Sequence, residues 1–184
     1  MSLFKNNTDL QNKKSIVIYF SHTGENYMEN GIRNIEKGNT EVIAEMIRDT
    51  VKADIFKVEP INKYPYDYHE CCNVAEEELH SNARPELQKT LDNIEEYEVI
   101  YIGYPIWWAT MPMPMFTQLE KLDFTGKIVM PFATHEGSRM GISEKDIKTL
   151  CKGATIMRGL AVQGSTVKNA KNKVENWIKN ATTK

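Results

Sequence analysis

Ser21, Thr23 and Gly24, in the stretch SHTG, follow the apolar run SIVIYF and place two hydroxyls and pliant backbone just after an expected buried strand. Such a loop suits a phosphate. Backbone N–H groups and hydroxyls converge on an anion without a lysine when a helix N-terminus adds its partial positive charge. Yet no helix follows at once. The amphipathic pattern starts near Thr40, the expected N-cap, with Val42, Ile43, Met46, Ile47 and Val51 on one face. Asn39 and Thr40 complete the anion site only if the stretch from Glu25 to Gly38 leaves and rejoins it.

Two further loops carry candidate chemistry. In PIWWATMP (105–112), the indoles of Trp107 and Trp108 could flank or stack on a planar ring, or one could pack on a sheet while the other covers a helix. In THEGSRMG (134–141), His135 and Glu136 suggest a general acid and base, but no zinc-peptidase pattern follows, so backbone contacts from a tight turn are expected. His69, Cys71, Cys72 and His80 have irregular spacing for a metal site, and Met111, Met113 and Met115 read as packing. Neither a GxxxxGK[ST] loop nor a GxSxG elbow occurs.

These loops need elements to position them. SIVIYF (15–20), EVIYIGY (98–104) and KIVMPFAT (127–134) read as strands buried on both faces, ADIFKVEP (53–60) as a more exposed strand, and TIMRGLAVQG (155–164) as a fifth with Gly159 at a bulge. Helices are expected after Thr40, at Pro112 and Pro114, after Ser143, and after Ser165 or Thr166, the last carrying Val167, Ala170, Val174, Trp177 and Ile178. Alternation of strand and helix predicts an α/β fold with a parallel sheet covered on both sides. The stretch from Asn62 to Asp92 holds one short acidic helix candidate, VAEEELH, and otherwise reads as an excursion shaping a pocket rim. In such a sheet ligands bind at the carboxyl ends of strands, where all three loops lie.

A chain of 184 residues with 41% hydrophobic content fits one domain, here 15–184 after a loose tail over 1–14. A net charge of −2 argues against nucleic acid or an anionic membrane as partner. The charge is uneven: residues 66–98 hold ten acids against Arg84 and Lys89, whereas 139–184 hold ten bases against three acids. Solvated faces or steering of a protein partner would each explain this. Three cysteines make a poor disulfide framework, and no uncharged apolar run is long enough to cross a bilayer, so a cytoplasmic location is expected.

Taken together and in order, the three loops resemble the flavodoxin family, in a branch whose phosphate loop is split. IVIYFSHTG followed by GNTE is similar to a strand and TGNT motif with an insert between TG and NT; GYPIWWATMP and FATHEGSRMG resemble the loops along the flavin ring. The resemblance implies a doubly wound five-stranded parallel sheet of order 2-1-3-4-5 with flavin mononucleotide (FMN) at the tips of its first and third strands. Carried over by residue, the phosphate falls to Ser21, His22 (through its backbone), Thr23, Gly24, Asn26, Asn39 and Thr40. Pro105, Ile106, Trp107 and Trp108 would line the isoalloxazine, with Thr134, His135, Glu136, Gly137 and Gly141 along its other edge. Two features depart from electron-carrier flavodoxins: the chain is nearly neutral rather than strongly acidic, and Ala109 stands where carriers commonly place a glycine. Alanine meets a steric penalty at positive φ.

The resemblance implies an FMN-binding redox protein serving redox partner proteins or a small-molecule acceptor. One alternative is an FMN-dependent reductase taking hydride from NAD(P)H for a quinone or similar aromatic, with Trp107, Trp108 and the 62–92 excursion as acceptor pocket. Another is a non-catalytic binding or signalling module on the same fold. A phospho-receiver is disfavoured, because neither SIVIYFS nor VIYIGYP ends in the required aspartate.

Overall fold

The computed structural model describes residues 10–183. Its central sheet is built from β1 (Ser15–Tyr19), β4 (Asp54–Lys57), β5 (Val99–Pro105), β6 (Ile128–His135), β7 (Thr155–Ile156) and β8 (Leu160–Gln163). A two-stranded hairpin, β2 (Gly24–Met28) and β3 (Gly31–Ile35), stands apart from it. Five helices accompany the strands: α1 (Asn39–Val51), α2 (Tyr68–His80), α3 (Met113–Leu119), α4 (Ser143–Leu150) and α5 (Lys171–Lys179). All sheet pairings are parallel, in the order β4-β1-β5-β6, with β7 and β8 both on the far side of β6. Because β7 and β8 are two pieces of one edge strand, the order is the expected 2-1-3-4-5.

The interruption has a cause within β6. Pro131 falls between the residues paired with β7 (Ile128, Val129) and those paired with β8 (Phe132 to His135), and it has no N–H to donate. Period-2 alternation divides the core between two faces. Val17, Tyr19, Tyr101, Met130 and Phe132 pack with Ile43 and Ile47 of α1 and Val174 and Ile178 of α5. Ile16, Ile18, Ile100, Ile102 and Val129 face Met115 and Leu119 of α3 and Ile147 of α4. Each such side chain, fully buried, contributes about 1.5–3 kcal/mol.

Several boundaries differ from expectation, each for a local reason. Leu10 is buried in the first of these clusters, so ordered structure begins before residue 14; residues 1–9 of the expected tail lie outside the described residues. Thr40 is not the cap of α1: Gly38 holds that position, and the hydroxyl of Ser21 accepts the free N–H of Glu41 at 3.0 Å. Ser143 begins α4 rather than capping it, its hydroxyl turned to the Met140 carbonyl. The last helix is split, with a 3-10 turn over Gly164–Asn169 before α5; Glu136 of another loop accepts the Ser165 N–H at the start of that turn at 3.0 Å. The acidic helix is longer than VAEEELH, starting at Tyr68 behind Asp67, whose carboxylate accepts the Glu70 N–H.

Candidate functional site

Excursion and return are both visible at the tip of β1. After Ser21 and His22 the chain turns out through Thr23 and Gly24 into the hairpin, whose turn is marked by Asn30-Gly31, and comes back at Gly38 directly against its point of departure. A Cβ on Gly38 would lie 2.1 Å from Ser21 Oγ and 2.5 Å from the His22 carbonyl oxygen. Only glycine fits there. The approach brings Ser21 to the first turn of α1, where Asn39 and Thr40 follow and the helix dipole adds positive potential. Thr40, buried, shares a 2.8 Å hydrogen bond with the Thr134 hydroxyl, so the first and third loops meet as well.

A cavity of about 690 Å³ opens here. Ser21, His22, Asn26, Asn39, Thr40, Pro105, Ile106, Trp107, Trp108, Thr134, His135, Glu136 and Gly137 all line it. Three expected residues do not. Thr23 is exposed where the chain leaves the site, and Gly24 starts β2 against Tyr66. Gly141 sits behind the wall at φ +51°, where a Cβ would be 2.1 Å from the carbonyl oxygen of Ala109. That carbonyl accepts the Ile142 N–H at 2.8 Å and thereby ties the second loop to the third.

The second loop is a tight reversal in which Trp107 and Thr110 exchange backbone hydrogen bonds of 2.8 and 3.1 Å. Its central residues, Trp108 and Ala109, have φ of +49° and +70°. Ala109 thus does adopt the left-handed conformation whose cost the sequence predicts, and the hydrogen bond to Ile142 helps hold it there. The indoles are not a stacked pair. Trp107 packs edge-on among Phe20, His22 and Tyr64, with ring centroids 5.4, 5.5 and 4.9 Å away. Trp108 stays half exposed and donates from Nε1 to the Cys72 carbonyl of α2 at 3.0 Å.

Electrostatics of the wall are set mainly by burial. Desolvation lowers the pKa of His22, whose Nε2 is buried without a hydrogen-bond partner, and holds the ring neutral. His135 is lowered for the same reason, partly offset by Glu136, and its Nδ1 accepts the Gly137 N–H at 2.9 Å. It fixes its own turn rather than facing a partner base. Glu136 accepts from Ser165 N and from Gln163 Nε2. Neither residue has the geometry of an acid–base pair. The Cys71 thiol is pushed up to about 12 by burial, and the described residues contain no group of three or more His, Cys, Asp or Glu able to hold a metal.

The far wall was only partly legible. Tyr68, His69, Cys72, Asn73 and Glu76 of α2, with Glu25 and Tyr27 of β2, face the cavity from the insertions. A rim from the 62–92 stretch is expected from sequence, but these residues are not. The signal that would have found them is Asp67 three residues before Glu70, an N-cap pattern ahead of the acidic run.

Solved structures share this arrangement of elements. A candidate flavoprotein of Bacteroides uniformis is 31% identical, covering 91% of this chain and 99% of its own, with a TM-score of 0.73. A flavoprotein of Lactobacillus acidophilus in complex with FMN is 21% identical over 87% of this chain and 99% of its own, with a TM-score of 0.61. A flavodoxin of Fusobacterium nucleatum bound to FMN is 15% identical over 90% and 95%, with a TM-score of 0.52. These last two speak for the fold alone. Among curated proteins the chain has no match. The flavodoxin family model matches residues 14–181, from the start of β1 to beyond α5, and the chain belongs to that family.

Proposed function

We propose that the chain binds FMN in this cavity and works as an electron-transfer flavoprotein. The observation that carries the reading is the closure of the split loop: Ser21, Gly38, Asn39 and Thr40 are contiguous in space although a whole hairpin separates them in sequence. Ser21, Asn39, Thr40 and the backbone at the start of α1 would hold the phosphate. Pro105, Ile106, Trp107 and Trp108 would bound the flavin ring on one side, with Thr134 to Gly137 along its other edge. The flavin, when bound, supplies reversible one- and two-electron chemistry. The protein's part is to bind, orient and shield it, and no side chain need act as acid or base. A cytoplasmic setting suits three free cysteines; among the described residues no helix is long and apolar enough to cross a membrane.

Incubation with FMN followed by gel filtration tests this: the protein should emerge yellow, and a colourless product would overturn the reading in favour of a binding or signalling module. Thr40→Ala should weaken FMN binding on the order of tenfold, from one lost hydrogen bond to a charged group and an orphaned Thr134 hydroxyl. Fluorescence titration reads the change, and unchanged affinity would place Thr40 outside the phosphate site.

A second reading, a reductase passing electrons from NAD(P)H to a small molecule, is favoured by the α2 wall, which encloses the cavity beside Trp108. Mixing the FMN-loaded protein with NAD(P)H separates the two. Rapid bleaching of the yellow colour supports the reductase, and a blue colour, from new absorbance at long wavelength, on photoreduction supports the carrier.

A further inference from the structure

We infer that the α2 wall is the docking site for a small molecule held beside the flavin, and that this molecule is a planar aromatic cation. The inference rests on the FMN reading above. Tyr68, His69, Cys72, Asn73 and Glu76 recur at helical spacing on one face of α2 and all line the cavity. The helix is fixed at the start and at the middle of this face. Glu25 Oε2 accepts the Tyr68 N–H at 3.1 Å, and Trp108 Nε1 reaches the Cys72 carbonyl. A helix with its side chains is about 10–12 Å across, so along this wall it separates the cavity from any protein surface docked outside. A diffusible molecule suits such a compartment better than a second protein.

The chemistry of the wall selects the ligand. Of the residues lining the cavity none is lysine or arginine, whereas Glu25, Glu76 and Glu136 are carboxylates. Glu136 spends both oxygens on Gln163 and Ser165, and Glu25 spends one on Tyr68. Glu76 is half-buried, and its carboxylate has neither an ion pair nor a hydrogen bond among the described residues. One turn before it, Trp108 is bonded to the Cys72 carbonyl and is 47% exposed; Tyr27, 49% exposed, lies further along the same wall, 6.1 Å from Tyr68 at the start of the helix. A carboxylate one helical turn from a half-exposed indole recognises a positive charge on a flat ring, by Coulomb attraction and by cation–π contact together. An anionic aromatic of the same size meets the same rings but is repelled by the carboxylate.

Isothermal titration of the FMN-loaded protein with N-methylphenazinium, a planar aromatic cation, and with anthraquinone-2-sulfonate, a planar anion, decides the matter. The cation should bind at least about tenfold more tightly. Glu76→Gln should erase that preference, Glu76→Asp should retain most of it, and Trp108→Ala should weaken both ligands. Equal binding of the two probes, or a preference that survives Glu76→Gln, would overturn the inference. Flavin absorbance of the same samples keeps the two failures apart: loss of flavin from the wild-type protein defeats the FMN reading and this one with it, whereas retained flavin without charge preference defeats this one alone.

Discussion

Replacing Gly38 by alanine is expected to reduce FMN affinity by about a hundredfold or more while the sheet remains folded. The reason is spatial. Gly38 has φ −64°, which any residue adopts, so nothing in its backbone conformation excludes alanine. A Cβ would, however, stand 2.5 Å from the backbone carbonyl oxygen of His22 and 2.1 Å from Ser21 Oγ. The hydroxyl can rotate away, but then the Glu41 N–H loses its partner; the carbonyl can withdraw only if the two halves of the loop part. Relief of such overpacking costs about 1–3 kcal/mol, and a hundredfold loss of affinity corresponds to about 2.7 kcal/mol. Fluorescence titration gives the affinity and circular dichroism reports the fold. Near-wild-type affinity would mean that the junction of Gly38 with Ser21 is not part of the phosphate site.

Gly103→Ala should produce the largest loss of stability. Gly103 lies in β5 opposite Phe132 of β6, and the absent side chain makes room for that ring. A Cβ there would be 2.0 to 2.7 Å from three atoms of the ring, itself fully buried against α1 and α5. The ring cannot swing into solvent, and neither strand can move without breaking the ladder at the centre of the sheet. We expect about 3 kcal/mol of destabilisation, or roughly 6–12 °C in Tm for a chain of this size. A thermal melt checks it, and a shift under about 2 °C would show that the ring has room to move aside.

Why some of this was legible in sequence and some was not follows from what each element buries. β1, β5 and β6 bury both faces, so their apolar runs announce them, and their tips carry much of the cavity lining, Ser21, Trp107 and His135 among it. The hairpin leaves little trace in the sequence. Its strands bury little beyond Gly24, so the polar stretch GENYMENGIRNI has no apolar alternation, and only Asn30-Gly31 marks its turn. α2 likewise buries only Cys71 and Ala75, too little for a helical stripe to stand out over its first half. Contact between Ser21 and Glu41 spans twenty residues, and its existence depends on the hairpin returning to its origin. Spacing cannot reveal that. The positive φ of Ala109 is a tertiary effect too, supported by a hydrogen bond from a loop more than thirty residues away.

The central claim is that separated pieces of chain grip the phosphate of one flavin. Comparing FMN with riboflavin, which has the same ring and ribityl chain but no phosphate, isolates that grip. The account predicts that FMN binds at least about a hundredfold more tightly than riboflavin and that Gly38→Ala removes most of the difference. Equal affinities for the two flavins would contradict it.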